Sequence, residues 1–183
     1  MPSWLRKLIP KRGDPPIVRI DESTPCWLVG DTRNLGHGGG HGGGHGGVQR
    51  PIDIDLPTLF RSLAEWLPER AIVCLADGSP ARTINEFMST RAIPEQLRVA
   101  RGAWPNPKVF HIPRAALQDL ADLADHSAAP ELADHIFAYC EGDVLLAWYD
   151  APFDPILFPG STPEQGIRDL ATALNTTYQR EAS

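Results

Sequence analysis

The residues best suited to chemistry are three histidines that recur at every fourth position between Gly36 and Gly47, which reads GHGGGHGGGHGG. This stretch holds three of the six histidines and nine of the sixteen glycines in the chain. Imidazole suits Zn²⁺, Cu²⁺ and Ni²⁺ as a ligand. Each intervening glycine disfavours a helix by about 1 kcal/mol, so the stretch is not expected to be helical. We therefore predict a flexible metal-binding loop with His37, His41 and His45 as ligands and a divalent Cu, Ni or Zn ion as cofactor.

The His-Gly-Gly-Gly unit in this loop resembles the copper-binding core of the prion-protein octarepeats. The resemblance implies that an imidazole and the glycine amides after it share one Cu²⁺. Glycine suits that role because it has no Cβ to obstruct the backbone as it folds around the ion. The resemblance covers only these twelve residues, and the tryptophan that follows the glycines in that repeat is missing here.

Three other interpretations of the Gly/His loop compete with metal binding. Repeat expansion produces low-complexity linkers of this composition. A phosphate-binding loop is the second interpretation, but neither GxGxxG nor GxxxxGK[ST] occurs. The third is the HGGG oxyanion loop of the α/β-hydrolase esterases, which requires a G-x-S-x-G nucleophile elbow downstream. No such elbow exists, and the stretch from Asp77 to Pro80 (DGSP) does not match it.

Three aspartates form a second group of candidate ligand-binding residues. Asp77 follows an apolar run, and ligands bind at the carboxyl ends of the strands in open α/β sheets. Asp150 and Asp154 flank a proline-rich loop beside Trp148 and Tyr149. These positions predict a small-molecule pocket at the strand ends. A turn aspartate before glycine and a rigid hairpin exit explain the same residues without a ligand.

The other histidines carry weaker patterns. His111 lies in an alternating apolar strand, which favours a structural, hydrogen-bonded histidine. Asp122 and His126 are one helical turn apart and His135 is close in sequence, so a zinc site is one interpretation. An acidic, solvated helix face explains the same spacing.

The sequence contains no recognisable nucleophile, so we assign no catalytic residue and lean towards a non-enzymatic protein. Cys26, Cys74 and Cys140 are far apart in apolar runs, which indicates reduced thiols that pack as small hydrophobic groups. Burial raises the pKa of such thiols and lowers their reactivity.

Length and charge narrow the class of protein further. A chain of 183 residues is typical of one domain. Residues 1–12 carry a charge of +4, whereas the remaining 13 basic and 23 acidic residues give −10. An acidic body argues against nucleic-acid binding, which relies on Lys and Arg, and favours a basic protein partner. No apolar run is long enough to cross a bilayer, no signal peptide is evident, and we expect a cytoplasmic protein.

We divide the chain into a basic N-terminal tail, residues 1–16, and a single domain, residues 17–183, that carries the Gly/His loop as an insertion at 31–50. We expect residues 1–12 to form a frayed, solvated terminus. The apolar residues among the basic ones make contact with a membrane surface or a partner the alternative.

Alternating and continuous apolar runs predict short strands, and amphipathic stretches predict helices between them. The strands are expected at 17–20, 26–29, 52–54, 71–75, 108–112, 135–140, 144–149 and 156–158. Helices are expected from Pro57, Ser79, Pro94, Pro113 and Thr162, the last with a capping box completed by Gln165. Strands separated by helices favour parallel neighbours. The predicted fold is α/β (or α+β), with a mixed sheet, helices on its faces, a late antiparallel hairpin and a C-terminal helix.

These observations lead to three functional hypotheses. The first is a non-enzymatic cytoplasmic binding protein that acts through a protein partner and carries a metal-capable loop. The second is a protein that handles Ni, Cu or Zn through the loop histidines. The third is a small-molecule enzyme with a pocket at the strand ends.

Overall fold

The computed structural model describes residues 25–30, 53–76, 87, 109–125, 132–149, 151 and 153–181. The tail 1–16, the Gly/His loop and the elements expected at 17–20 and 94–100 lie outside these residues. Of the helix expected after Ser79, only Phe87 is described, in a helical position and packed against the core. Residues 53–55 are extended but belong to no strand, and they lead into the first helix.

Seven strands form one sheet in the order β3-β2-β4-β5-β6-β1-β7. Their bounds are β1 Cys26–Val29, β2 Ile72–Ala76, β3 Val109–Pro113, β4 His135–Cys140, β5 Asp143–Trp148, β6 Ile156–Pro159 and β7 Tyr178–Glu181. The late hairpin joins β4 to β5. Its turn residues Glu141 and Gly142 have φ values of 52° and 100°, the left-handed conformation that a two-residue hairpin turn needs.

Three described helices pack against the sheet: α1 Leu56–Trp66, α2 Leu117–Ala124 and α3 Glu164–Ala173. The sequence explains where α1 begins, because Asp55 caps it. Its carboxylate accepts a hydrogen bond of 2.9 Å from the backbone N–H of Thr58, and Pro57 occupies the first turn, where no intrahelical N–H is required. A short 3₁₀ helix, Arg114–Ala116, precedes α2.

The predicted class is confirmed: helices pack on a β-sheet, a hairpin comes late, and a helix lies near the C-terminal end of the described chain. The expectation that neighbouring strands run parallel is wrong, because every described strand pair is antiparallel. Each helix does join strands that run in the same direction, as crossovers do. However, β2 lies between β3 and β4, and β1 lies between β6 and β7. The inserted strand therefore replaces the expected parallel pairs β3–β4 and β6–β7 with antiparallel pairs.

Two local predictions near the C-terminal end are also corrected. The capping box of α3 is wrong, since the N-cap is Pro163 and no side chain caps the helix. The backbone carbonyl of Thr162 instead accepts a hydrogen bond from Nε1 of Trp27 at 3.0 Å, and Gln165 donates to Asp169. Strand β7 was not expected because it is polar, with three of its four residues exposed.

The two faces of the sheet bury separate groups of side chains. The face that carries α1, α2 and α3 holds the larger core, with Trp148, Phe60, Phe158, Leu59 and Leu63 almost completely buried. The opposite face, which we call the second face, buries Cys26, Leu28, Cys74, Phe137, Val144, Ala147 and Tyr149. Among the described residues, the second face is formed by the strands and by Tyr149, and none of the three described helices contributes to it.

Candidate functional site

The strand ends that precede the predicted site residues lie along one edge of the sheet, the edge formed by strand ends. Because neighbouring strands are antiparallel throughout, the C-terminal ends of β1, β2 and β5 lie at the same edge as the N-terminal ends of β4 and β6. A backbone hydrogen bond of 2.8 Å from Ala151 to the carbonyl of Asp134 joins two of these ends. We call this edge the upper edge. The Gly/His loop follows β1 in sequence, Asp77 follows β2, and Asp150 follows β5.

Of the three loop histidines and the three aspartates predicted as ligand contacts, only Asp154 is described. The residues His37, His41, His45, Asp77 and Asp150 lie outside the described part of the chain. The half-buried Asp154 precedes β6, and its backbone carbonyl accepts a hydrogen bond of 2.6 Å from Nε1 of the fully buried Trp148. The tryptophan thus fixes the loop that leads into β6. The antiparallel sheet also removes one argument for Asp77, since the rule about carboxyl strand ends applies to parallel α/β sheets.

Four aromatic rings line the second face below the upper edge. Alternation along β4 places His135, Phe137 and Tyr139 on this face, and Tyr149 joins them from the end of β5. The ring centroids of Phe137 and Tyr149 are 5.3 Å apart in an edge-to-face arrangement, and those of His135 and Tyr149 are 6.3 Å apart. The strand was expected from the sequence but the ring cluster was not, although the period-two spacing in HIFAYC indicates that His135, Phe137 and Tyr139 share one face.

Cys74 lies on the second face, on the second strand from one end of the sheet. Its direct neighbours in the register are His111 on β3 and Phe137 on β4. Burial raises the pKa of the Cys74 thiol to about 12, and burial is also the main cause that raises the pKa of Tyr139. Both groups therefore stay protonated and neutral near pH 7, and a neutral thiol is a poor nucleophile.

The expectation of three reduced cysteines is confirmed. Cys26 and Cys74 share the second face, but β4, β5 and β6 separate their strands. At about 4.8 Å per strand, four steps put them roughly 19 Å apart, whereas a disulfide requires Cα atoms within about 7 Å. Cys140 packs against the core on the helix side. The fold therefore keeps these thiols apart.

The zinc interpretation that combined Asp122 with His135 finds no geometric basis. Asp122 lies on α2 and accepts a hydrogen bond of 3.1 Å from Arg61 on α1, and Asp125 accepts another of 3.0 Å from the same guanidinium. His135 faces the opposite side of the sheet, among aromatic rings. Within the described residues, no group of three His, Cys, Asp or Glu side chains could hold a metal ion. His126 lies outside these residues.

The described surface is strongly acidic. In the described part of the chain, twelve acidic side chains and three arginine side chains are exposed to solvent. Two of those arginines are engaged in ion pairs, Arg70 with Glu141 and Arg168 with Glu164, each at 3.1 Å. The acids are Asp53, Asp55, Glu65, Glu69, Asp119, Asp122, Asp125, Glu141, Asp143, Glu164, Asp169 and Glu181. In the described part of the chain, the excess of negative charge is therefore displayed on the surface and is only partly neutralised.

No protein-family model, curated protein or solved structure matches the chain. Among the described helices, none has the length and apolar character needed to cross a membrane.

Proposed function

We propose that this chain is a non-enzymatic binding protein that acts through a basic protein partner. One observation carries the proposal: twelve exposed acidic side chains against three exposed arginines in the described part of the chain. A surface with this excess attracts basic proteins, speeds encounter with them and repels acidic competitors. The partner is therefore defined by its chemistry, a protein with a surface rich in Lys and Arg.

A salt series and a charge-inverted variant test this proposal together. The protein immobilised through its C-terminus should retain a basic partner from lysate at about 150 mM salt and release it near 500 mM, because screening shortens the range of exposed charges. A variant with Glu65→Lys, Glu69→Lys and Asp119→Lys should retain less of the same partner. All three side chains are exposed to solvent, so the fold should tolerate the change. Absence of any basic partner at moderate salt would contradict the proposal.

The second candidate function, transition-metal handling, rests on the spacing of His37, His41 and His45. Three imidazoles and nine glycines in twelve residues provide ligands and a backbone free to wrap around an ion. Calorimetry with Cu²⁺, Ni²⁺ and Zn²⁺ on untagged protein should show affinity in the micromolar range or tighter.

The matched control for metal binding is His135→Ala, which removes a histidine from the described domain. Metal binding should disappear in the triple variant His37→Ala, His41→Ala, His45→Ala and remain in the control. Unchanged binding in the triple variant would exclude the loop as the site. Elemental analysis of protein purified without a His-tag would show whether one of these metals accompanies it.

A further inference from the structure

Strand β7 forms one end of the sheet and pairs only with β1 among the described strands. Gln179, Arg180 and Glu181 are exposed to solvent, and Tyr178 is half-buried. Each strand at the end of a sheet leaves every second residue with its N–H and C=O directed away from its neighbour. The register between β1 and β7 decides which residues of β7 present these groups.

Tyr178 and Arg180 are the residues whose backbone groups point away from β1, as the register between β1 and β7 shows. Gly30 donates a hydrogen bond of 2.9 Å to the carbonyl of Thr177, so this pair is a hydrogen-bonded one. Hydrogen-bonded and non-hydrogen-bonded pairs alternate in an antiparallel ladder, and the register continues with Val29 opposite Tyr178 and Trp27 opposite Arg180. Both of these are therefore non-hydrogen-bonded pairs. Tyr178 and Arg180 direct their backbone N–H and C=O outwards, available to another strand.

We infer that the outer edge of β7 pairs antiparallel with β7 of a second copy of this chain, about a two-fold axis at Gln179. In this arrangement Tyr178 exchanges two hydrogen bonds with Arg180 of the second copy, and Arg180 exchanges two with Tyr178 of the second copy. Two-fold symmetric dimers are the commonest oligomers of soluble chains.

The two competing registers are excluded by features of this strand. An axis at Tyr178 would require the N–H of Thr176 to bond to Arg180 of the second copy, but Thr176 donates that N–H to the carbonyl of Ala171 at 2.9 Å. An axis at Arg180 would place Arg180 directly opposite Arg180 of the second copy, and like charges directly opposite each other are unfavourable. The axis at Gln179 opposes Glu181 to Thr177 and Arg180 to Tyr178, so no like charges face each other directly.

The side chains on the helix side are compatible with this pairing. Arg180 already lies over the indole ring of Trp27, with 5.2 Å from its guanidinium carbon to the ring centroid, and Tyr178 lies 6.0 Å from the same ring. Placing Arg180 of the second copy opposite Tyr178 extends this cation–aromatic row across the axis. The charged residues of β7 protect the edge against unrelated strands while permitting this one register.

Register-specific crosslinking tests the inference. The axis at Gln179 makes Gln179 a non-hydrogen-bonded pair with itself, whose Cα atoms stand about 4.5 Å apart, within the range of a disulfide. Gln179→Cys alone should therefore give a disulfide-linked dimer under mild oxidation. Thr177→Cys and Glu181→Cys should each fail alone and crosslink when the two variants are mixed. The unsubstituted chain at the same concentration reports any contribution from the native cysteines.

A second pair of variants separates the backbone from the side chain. Arg180→Pro removes the outward N–H but leaves the bonds between β1 and β7, whereas Arg180→Ala keeps that N–H and removes the guanidinium. The interface is short, so sedimentation should detect a dimer with a dissociation constant on the order of 100 μM. Arg180→Pro should abolish it, and Arg180→Ala should weaken it by about tenfold or less.

Three outcomes would overturn the inference: a monomer up to about 1 mM, about tenfold above the expected constant, a dimer that survives Arg180→Pro, or a crosslink from Thr177→Cys alone. Thermal melts of every variant show whether the fold is retained, and the cysteine variants keep the test decisive if Arg180→Pro unfolds the protein. These outcomes leave the acidic-surface proposal untouched, because it concerns a different partner and depends on salt.

Discussion

Cys74 on β2 lies directly opposite His111 on β3, and both side chains are buried on the second face of the sheet. In a solvent-exposed setting, a thiol beside an imidazole would be a candidate nucleophile. Here burial raises the thiol pKa to about 12. We predict that native Cys74 resists alkylation at pH 8 and reacts fully in denaturant. Rapid labelling of Cys74 in the folded protein, located by peptide mass spectrometry, would contradict this.

The same pKa makes stability depend on alkaline pH. The folded pKa is about 12 and the ordinary value is 9.0, so between these values the unfolded chain loses a proton that the folded chain retains. Stability is therefore unaffected by this thiol below pH 9 and falls above it, by up to about 1.4 kcal/mol per pH unit. Tyr139, whose pKa burial also raises, adds to the fall above pH 10.

Urea unfolding at pH 8, 9.5 and 10.5 measures this slope. Cys74→Ala should be less stable than the native protein at pH 8, because it leaves a small cavity. Its stability should nevertheless fall less steeply with pH. Parallel slopes for the two proteins would show that Cys74 does not cause the alkaline loss.

Close packing of two helices depends on Gly166 in α3. A Cβ at this position would stand 2.8 Å from Nε1 of Trp66 on α1, closer than two such atoms can approach. We expect Gly166→Ala to destabilise the protein by about 1–3 kcal/mol through overpacking. In a Trp66→Leu background the same substitution should become stabilising by up to about 1 kcal/mol, because alanine favours helix over glycine.

Chemical denaturation of the four proteins in this double-mutant cycle gives the coupling between Gly166 and Trp66. The sign reversal is the decisive result. A Gly166→Ala effect of the same size in both backgrounds would mean that the indole does not limit this position.

Glu141 is predicted to be a suboptimal residue in the β4–β5 hairpin. Its φ of 52° is a conformation that asparagine and glycine adopt more readily. Its ion pair with Arg70 is largely exposed, with side-chain exposures of 82% for Arg70 and 68% for Glu141, and such pairs contribute little. Glu141→Asn should raise stability by about 0.5 kcal/mol, measured by thermal unfolding.

Gly142→Ala provides the opposite control for this turn, since Gly142 has a φ of 100°. It should lower stability by about 1 kcal/mol or more. A destabilising Glu141→Asn would indicate that the Arg70 pair outweighs the turn, and repeating the substitution in Arg70→Gln would then restore the gain.

The Gly/His loop is predicted to be dispensable for folding. It lies between two described segments, residues 25–30 and 53–76, whose apolar residues belong to one common core. Deleting residues 36–47 should change the melting temperature of the metal-free protein by no more than about 4 °C, corresponding to a free-energy change under 1 kcal/mol. A large loss of thermal stability without metal would show that the loop contributes to the fold.

The sequence predicted local elements much better than their arrangement. Asp55 and Pro57 specify the start of α1 through hydrogen bonding and a fixed φ, both local effects. The spacing of Leu117, Leu120 and Ala124 along α2 is likewise a local pattern, and all three residues are buried. The insertion of β1 between β6 and β7 depends on residues about 130–150 positions apart, and no local pattern encodes it. Strand β7 was missed because a polar edge strand shows no hydrophobic alternation.

The candidate site was less predictable than the fold. Alternation placed His135 and Phe137 on one face of β4, but the contribution of Tyr149 from the next strand depends on hairpin register. The acidic surface, in contrast, could be anticipated, because charged side chains that lack buried partners remain in water. Ion pairs such as the one between Arg61 and Asp122 depend on how α1 packs against α2, so the sequence alone did not predict them.

The position of β1 in the sheet has a consequence for how the chain is made. Cys26–Val29 is the first described strand to leave the ribosome, yet both of its partners, β6 and β7, are near the other end of the chain. During synthesis its four apolar residues stay unpaired until residues 156–181 have emerged. This end of the sheet therefore forms after the other described strands have been synthesised, and its formation is slowed by the closure of a very long loop. Chains truncated before β6 should expose this strand to chaperones and to aggregation.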